Sequence, residues 1–341
     1  MKLGLAMKPA MWSDAHLRLA RQLGCESVVA WVPLDEGDGV WHREQFDALV
    51  RQAAAHGLSL AAIENFHPAH WDHIVLDEPG KEEQMEKILR TIRNAGEAGI
   101  PCFGYSFSAC GVQGYFTDYG SGNRDGRGLA GIKSFDESKL PAEPQRNPEF
   151  WFNTRIERRG SRGVLPPCGE EEFRARFRWF LERAVPVAEA AGIRLCAHPD
   201  DPPVPSLRGI ARPLHSPEGL RWLLGVVDSP YNALEFCQGT VSCMAGVDVY
   251  AAIKEFAAAG RIGYVHFRNT SGTRPRYSEV FIDEGYVDMP RALSLYAKHG
   301  FDGTLIPDHT PLVESSAPWE CGMGYALGYI RGAMQALRRE R

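Results

Sequence analysis

The sequence predicts a (β/α)8 barrel of the TIM class, with a long insertion after the fourth strand. Three observations predict it. First, six amphipathic stretches each stop at a glycine (Gly24, Gly57, Gly99, Gly192, Gly260 and Gly300), and a short β-prone run follows within a few residues. The residue just past a helix often needs positive φ, which glycine adopts without steric cost. Second, these glycines recur at intervals of 33, 42, 68 and 40 residues, apart from one gap of 93. A strand plus its crossover helix takes about 30 residues or more, so 68 reads as two units. Third, no GxGxxG or GxxxxGK[ST] follows any β-prone run. A doubly wound open sheet, the alternative, would normally carry such a nucleotide loop.

The elements follow in order. The expected strands are KLGLAM (2–7), SVVAWV (27–32), LSLAAIEN (58–65), IPCFGYSF (100–107), IRLCAHPD (193–200), ALEFCQG (233–239), RIGYVHFRN (261–269) and FDGTLIPDH (301–309). Between them, Ser13 is placed to cap a helix over 14–23. The stretch 81–98 sets Met85, Ile88, Leu89 and Ile92 on one face, and 170–191 does the same with Phe173, Phe177, Phe180, Leu181 and Val185. Pro186 should kink or break that helix. A last helix is expected over about 323–338. The long gap holds a glycine- and charge-rich segment, 108–168, too polar to build a core. It reads as a lid or as the arm of a homo-oligomer.

One barrel domain accounts for all 341 residues. Apolar residues make up 44% and charged residues 24%, and the net charge is −5. That balance excludes disordered and fibrous classes. It argues against a general nucleic-acid binder, which needs clustered Lys and Arg. No apolar run approaches the ~18 residues of a membrane span. The eight cysteines are scattered without a CxxC pair, which suits a reduced, cytoplasmic protein rather than a disulfide scaffold or zinc ribbon.

In such barrels chemistry sits at the C-terminal ends of the strands. The fifth expected strand ends at His198, the sixth at Cys237, the seventh at His266 and the eighth at Asp308. Two imidazoles, a thiol and a carboxylate from four consecutive strands make a donor set for a divalent metal of intermediate softness. Around them, His309 can transfer a proton or orient a ligand. Arg268 can clamp a substrate carboxylate, or pair with Asp200 or Asp201. Glu64 and Tyr105, ending the third and fourth strands, are candidates for binding substrate hydroxyls, as are Asp200 and Asn269 beside the metal motifs. His67, His70 and His73 lack the strand-end framework of a metal site, although His70 can reach substrate from its loop.

The segments AHPDDPPVPSLRGIARP, DSPYNALEFCQGT, YVHFRN, GYVDM and GFDGTLIPDHT resemble the mannonate dehydratase family, densely over 186–310 and more faintly over 1–107. The resemblance implies a barrel related to xylose-isomerase-like enzymes that removes water from D-mannonate to give 2-keto-3-deoxygluconate. It implies a metal, usually manganese with Fe2+, Co2+ or Mg2+ as alternatives, on His198, Cys237, His266 and Asp308. It also implies a tyrosine near the C-terminus, and Tyr325 in GMGYALG lies two places from that position. After Phe107 the chain reads SACGVQGYFTDYG, where the family carries a Trp- and Arg-containing motif. A sugar or sugar-acid isomerase or epimerase of the same barrel type is the rival expectation.

Overall fold

The computed structural model describes residues 1–33, 37–110, 124–145, 150–151, 154–155 and 163–339. Eight parallel strands close a barrel: β1 (Lys2–Met7), β2 (Ser27–Ala30), β3 (Ser59–Glu64), β4 (Cys102–Tyr105), β5 (Arg194–Ala197), β6 (Asn232–Cys237), β7 (Ile262–His266) and β8 (Thr304–Ile306). Each strand pairs with its neighbours in sequence, and β8 closes onto β1 through Lys2↔Thr304. Helices α1 (Asp14–Gln22), α2 (Arg43–Ala55), α3 (Lys81–Glu97), α4 (Glu170–Ala190), α5 (Pro217–Val226), α6 (Val249–Ala258), α7 (Met289–Lys298) and α8 (Pro318–Arg339) provide the return crossings. Ser13 accepts the His16 backbone N–H and caps α1. All six helix-ending glycines have positive φ, between 67° and 90°. A side chain there would be strained, so the chain-reversal signal read from the sequence is a conformational requirement.

Two expectations are corrected. α4 runs unbroken through Pro186. Its inner face buries Phe173, Phe177, Phe180, Leu181, Ala184, Val185 and Ala188, and that packing outweighs the hydrogen bond that proline removes. The last helix starts at Pro318, earlier than expected, because proline suits a first turn where its missing N–H has no partner to lose.

An apolar cluster of Val29, Ala62, Cys102, Cys196, Ala233, Tyr264 and Ile306 packs within the barrel. The bulky core lies outside it. Phe107 stacks on Phe177 at 4.3 Å, with Trp71, Tyr105, Phe173 and Phe180 in edge-on or tilted contact around them. Between β4 and α4, the described residues include a strand, Lys133–Asp136, antiparallel to Arg276–Val280, which also pairs with Asn269–Thr270. Part of the 108–168 segment therefore joins the loop that follows β7. Its residues 111–123, 146–149, 152–153 and 156–162 lie outside the described residues.

Candidate metal centre

Strand register brings the donors together. Cys237 on β6 is the pairing partner of His266 on β7, which in turn pairs with Ile306 on β8. His198 follows β5 directly, and its backbone N–H bonds Tyr105 O. One ligand atom from each of His198, Cys237 and His266 lies within 4.8 Å of the others, and all three residues are buried. Asp308 sits beside this trio, with Oδ2 3.4 Å from His266 Nδ1. Its φ is +63°, a strained value for a non-glycine that turns the chain sharply after β8.

Local chemistry fits this set to a cation. His198 Nδ1 lies 2.6 Å from the Pro199 carbonyl. A carbonyl only accepts, so Nδ1 carries a proton, and Nε2 is the nitrogen that a cation would take in exchange for its proton. Cys237 caps the short helix Gln238–Cys243, and its sulfur accepts from the Thr240 backbone N–H at 3.4 Å and the Thr240 hydroxyl at 3.1 Å. Burial would push the thiol up, but the Arg268 guanidinium and hydrogen bonds from His198 and His266 bring it down to about 5. The sulfur is thus held as the thiolate, the form that ligates. Burial alone would lower His198, yet Cys237 and Glu235 draw it up to about 9. The same negative field favours a metal cation.

A ring of charges surrounds the trio. Arg268 is only 4% exposed and contacts three carboxylates: Asp201 at 2.8 Å, Asp308 at 3.1 Å and Glu279 at 3.3 Å. Of the two readings of Arg268, the pairing is the one these contacts display, with Asp201 and not Asp200 as the partner. His309 bridges Glu279 (Nδ1, 2.8 Å) and Asp308 (Nε2, 3.2 Å). Burial raises Glu279, but His309 and Arg268 outweigh it and hold the group at about 2.

Several residues expected to bind substrate make other contacts. Tyr105 points outward among Trp71, Phe177 and Phe180, with no hydrogen-bond partner for its hydroxyl among the described residues. Strand alternation gives the barrel interior to Cys102 and not to the strand's last residue. Asp200 accepts from Leu214 N at 2.7 Å and faces Arg212 at 3.7 Å, so it braces its loop. The Asn269 amide donates to Ile282 O and Val287 O and accepts from Thr270 N and Val287 N. These bonds use its amide within the turn. His70 packs edge-on against Trp41. Tyr325 is 44% exposed, and it is met by Arg127 from the inserted segment, which also pairs with Asp283.

Glu64 does face the barrel interior, 3.8 Å from His266 Nε2. Burial pushes its carboxyl up to about 7 against the pull of His266. Sequence reasoning missed its neighbour Glu235, which is fully buried and 2.9 Å from His266 Nε2. The signal was there, since Ala233, Glu235 and Cys237 share one face of β6 by alternation. A register shift at Leu234/Glu235 sets this segment against β7, and such bulges are common beside active sites.

Fold and donor set define the class: a (β/α)8 barrel whose last four strands bring His198, Cys237, His266 and Asp308, residue types that could hold a cation, to its mouth. The D-mannonate dehydratase (UxuA) family model matches residues 10–340. The chain is 30% identical over 348 residues to a mannonate dehydratase of Lactococcus lactis subsp. lactis, covering 94% of each protein. It is also 30% identical over 314 residues to mannonate dehydratase 2 of Halalkalibacterium halodurans, covering 88% of each. Among solved structures it is similar to a mannonate dehydratase from Streptococcus suis serotype 2, with TM-score 0.84 at 23% identity over 100% of this chain and 94% of the other. A more distant likeness, TM-score 0.59 at 16% identity over 99% of this chain and 96% of the other, is to an L-ribulose 3-epimerase. The chain belongs to the mannonate dehydratase family, a family of hydro-lyases.

Proposed function

We propose that this protein removes water from an aldonate of the D-mannonate type to give the 2-keto-3-deoxy acid. The observation that carries the reading, beside the family match, is the buried His198–Cys237–His266 trio with Asp308 at its edge. A bound divalent cation, Mn2+ in the first instance with Fe2+, Co2+ or Mg2+ as alternatives, would supply Lewis acidity to a carboxylate and its adjacent hydroxyl. His198, Cys237, His266 and Asp308 would hold it. The residues around them do the rest. Glu279 fixes His309 through Nδ1 and leaves the Nε2 edge toward Asp308 as the proton-transfer face. Arg268 positions Asp308 and screens the carboxylates from one another. Tyr325 is the second candidate for proton transfer, carried on α8 and steered by Arg127.

The 108–168 segment serves as a lid or as the arm of a homo-oligomer. Arg127 already reaches Asp283 and Tyr325 from it. Among the described residues no helix is long and apolar enough to cross a membrane. The eight cysteines are unpaired, which supports a cytoplasmic location. The test is incubation of the manganese-loaded protein with a panel of hexonates and pentonates, read by mass. Loss of one water is expected from a mannonate-like member. Conversion at unchanged mass would support the isomerase or epimerase reading, and no conversion across the panel would overturn the dehydration reading.

A further inference from the structure

The four-donor reading leaves a second group of buried ligand atoms unexplained. Glu64, Glu235 and His266 each offer an atom within 4.8 Å of the others, one step deeper in the barrel than Cys237. Glu235 is 0% and Glu64 4% exposed. Both Glu235 oxygens and Glu64 Oε2 lack a hydrogen-bond partner among the described residues, and the nearest cationic group is the shared His266 Nε2, 2.9 Å from Glu235 Oε1 and 3.8 Å from Glu64 Oε1. Two carboxylates that share one imidazole at that depth are costly to bury unless a further cation meets them. The wall opposite is cleared for them. A β-carbon at Gly104 would come within 2.0 Å of the Tyr264 hydroxyl and 2.4 Å of Glu235 Oε2.

We propose that Glu64 and Glu235 are further donors of the metal centre, sharing His266 with the thiolate set. They supply the hard oxygens that select a Mn2+-like ion over softer, thiolate-seeking ones such as Zn2+ or Cd2+. A set of two imidazoles, a thiolate and one carboxylate is soft, whereas Mn2+ favours carboxylate oxygen. The inner carboxylates correct that balance. This inference rests on the reading that the trio binds a cation, but not on the reaction that follows.

The test has two arms. Wild-type crystals are loaded separately with Mn2+ and Cd2+, and the ions are located by anomalous scattering. Mn2+ is expected within about 2.0–2.6 Å of an oxygen of Glu64 or Glu235, with Cd2+ on Cys237 Sγ. In solution, chelator competition measures each ion against Glu235→Gln and Cys237→Ser. Glu235→Gln is expected to weaken Mn2+ about tenfold or more while moving Cd2+ much less, and Cys237→Ser is expected to reverse that order. Mn2+ that touches neither carboxylate overturns the inference and leaves the dehydration reading standing, as does a Glu235→Gln protein with unchanged ion preference. A wild-type protein that binds neither ion overturns both readings. Because the crystal arm uses the unaltered chain, a variant that folds poorly does not remove the test.

Discussion

The two halves of the barrel are built from the same strand–helix unit and use its strand ends in opposite ways. On β5 to β8 the ends turn inward at the mouth, and His198, Cys237, His266 and Asp308 gather there with a belt of charges behind them. On β3 and β4 most of the corresponding positions turn outward. Tyr105 and Phe107 join Trp71, Phe173, Phe177 and Phe180 in an aromatic cluster between barrel and helices. Glu64 is the exception that points inward, and it points at His266. One half thus serves stability and the other carries the polar chemistry. The comparison teaches that being the last residue of a barrel strand does not decide a role. The parity of the position along the strand does, because it chooses between interior and helix layer.

The largest effect is expected on the polar half. Cys237→Ser should abolish turnover and weaken cation binding by more than the ~10–100-fold typical of an outer partner, measured by chelator competition with the fold checked by circular dichroism. Retained activity would detach the thiolate from the chemistry. On the aromatic half, Phe177→Ala should destabilise the fold by about 3–5 kcal/mol, read by denaturant unfolding, while the folded fraction keeps its cation stoichiometry. Loss of the cation from folded protein would show that the two halves are not separable in this way.

Glu279→Gln sits between these extremes. Its carboxylate orients His309 and Arg268, so turnover should fall about 10–100-fold, with Glu279→Asp restoring part of it. The pH dependence has a definite sign. The folded protein holds Glu279 at about 2, below its ordinary 4.5. The ionised group therefore stabilises the fold at neutral pH, and that contribution disappears as pH falls from about 4.5 toward 2. Acid unfolding of the Gln variant should lose this part of its slope. An unchanged acid limb would mean that the contacts with His309 and Arg268 add nothing to stability.

How much of this was legible in the sequence follows from the range of the interactions concerned. The helix-ending glycines and the β-prone runs after them are local signals, and six of the eight strands stand where those signals place them, with β1 and β6 marked by their β-prone runs alone. The motif-bearing ends of β5 to β8 are local too, which is why the trio was readable. The belt was not. Arg268 meets Asp201 from 67 positions away and Glu279 lies on a hairpin strand after β7, so no periodicity connects them. Glu235 was passed over for a different reason, since attention to strand ends skips a residue two places inside one. Pro186 was read as a break by a local rule, and the buried face of α4 overrode it.

The smallest effect tests the parity rule directly. Tyr105 ends β4, so strand-end reasoning assigns it to substrate, whereas alternation assigns it to the aromatic layer. Its ring is buried, and its hydroxyl has no hydrogen-bond partner among the described residues. Tyr105→Phe keeps the ring and removes only that oxygen. Deleting an unsatisfied buried hydroxyl should be neutral or slightly stabilising, within about 1 kcal/mol. KM and kcat for the aldonate should stay within about twofold of wild type, well below the cost of a lost substrate hydrogen bond. A several-fold rise in KM at unchanged melting temperature would return Tyr105 to the active site, and the division between an apolar and a polar half would then fail at β4.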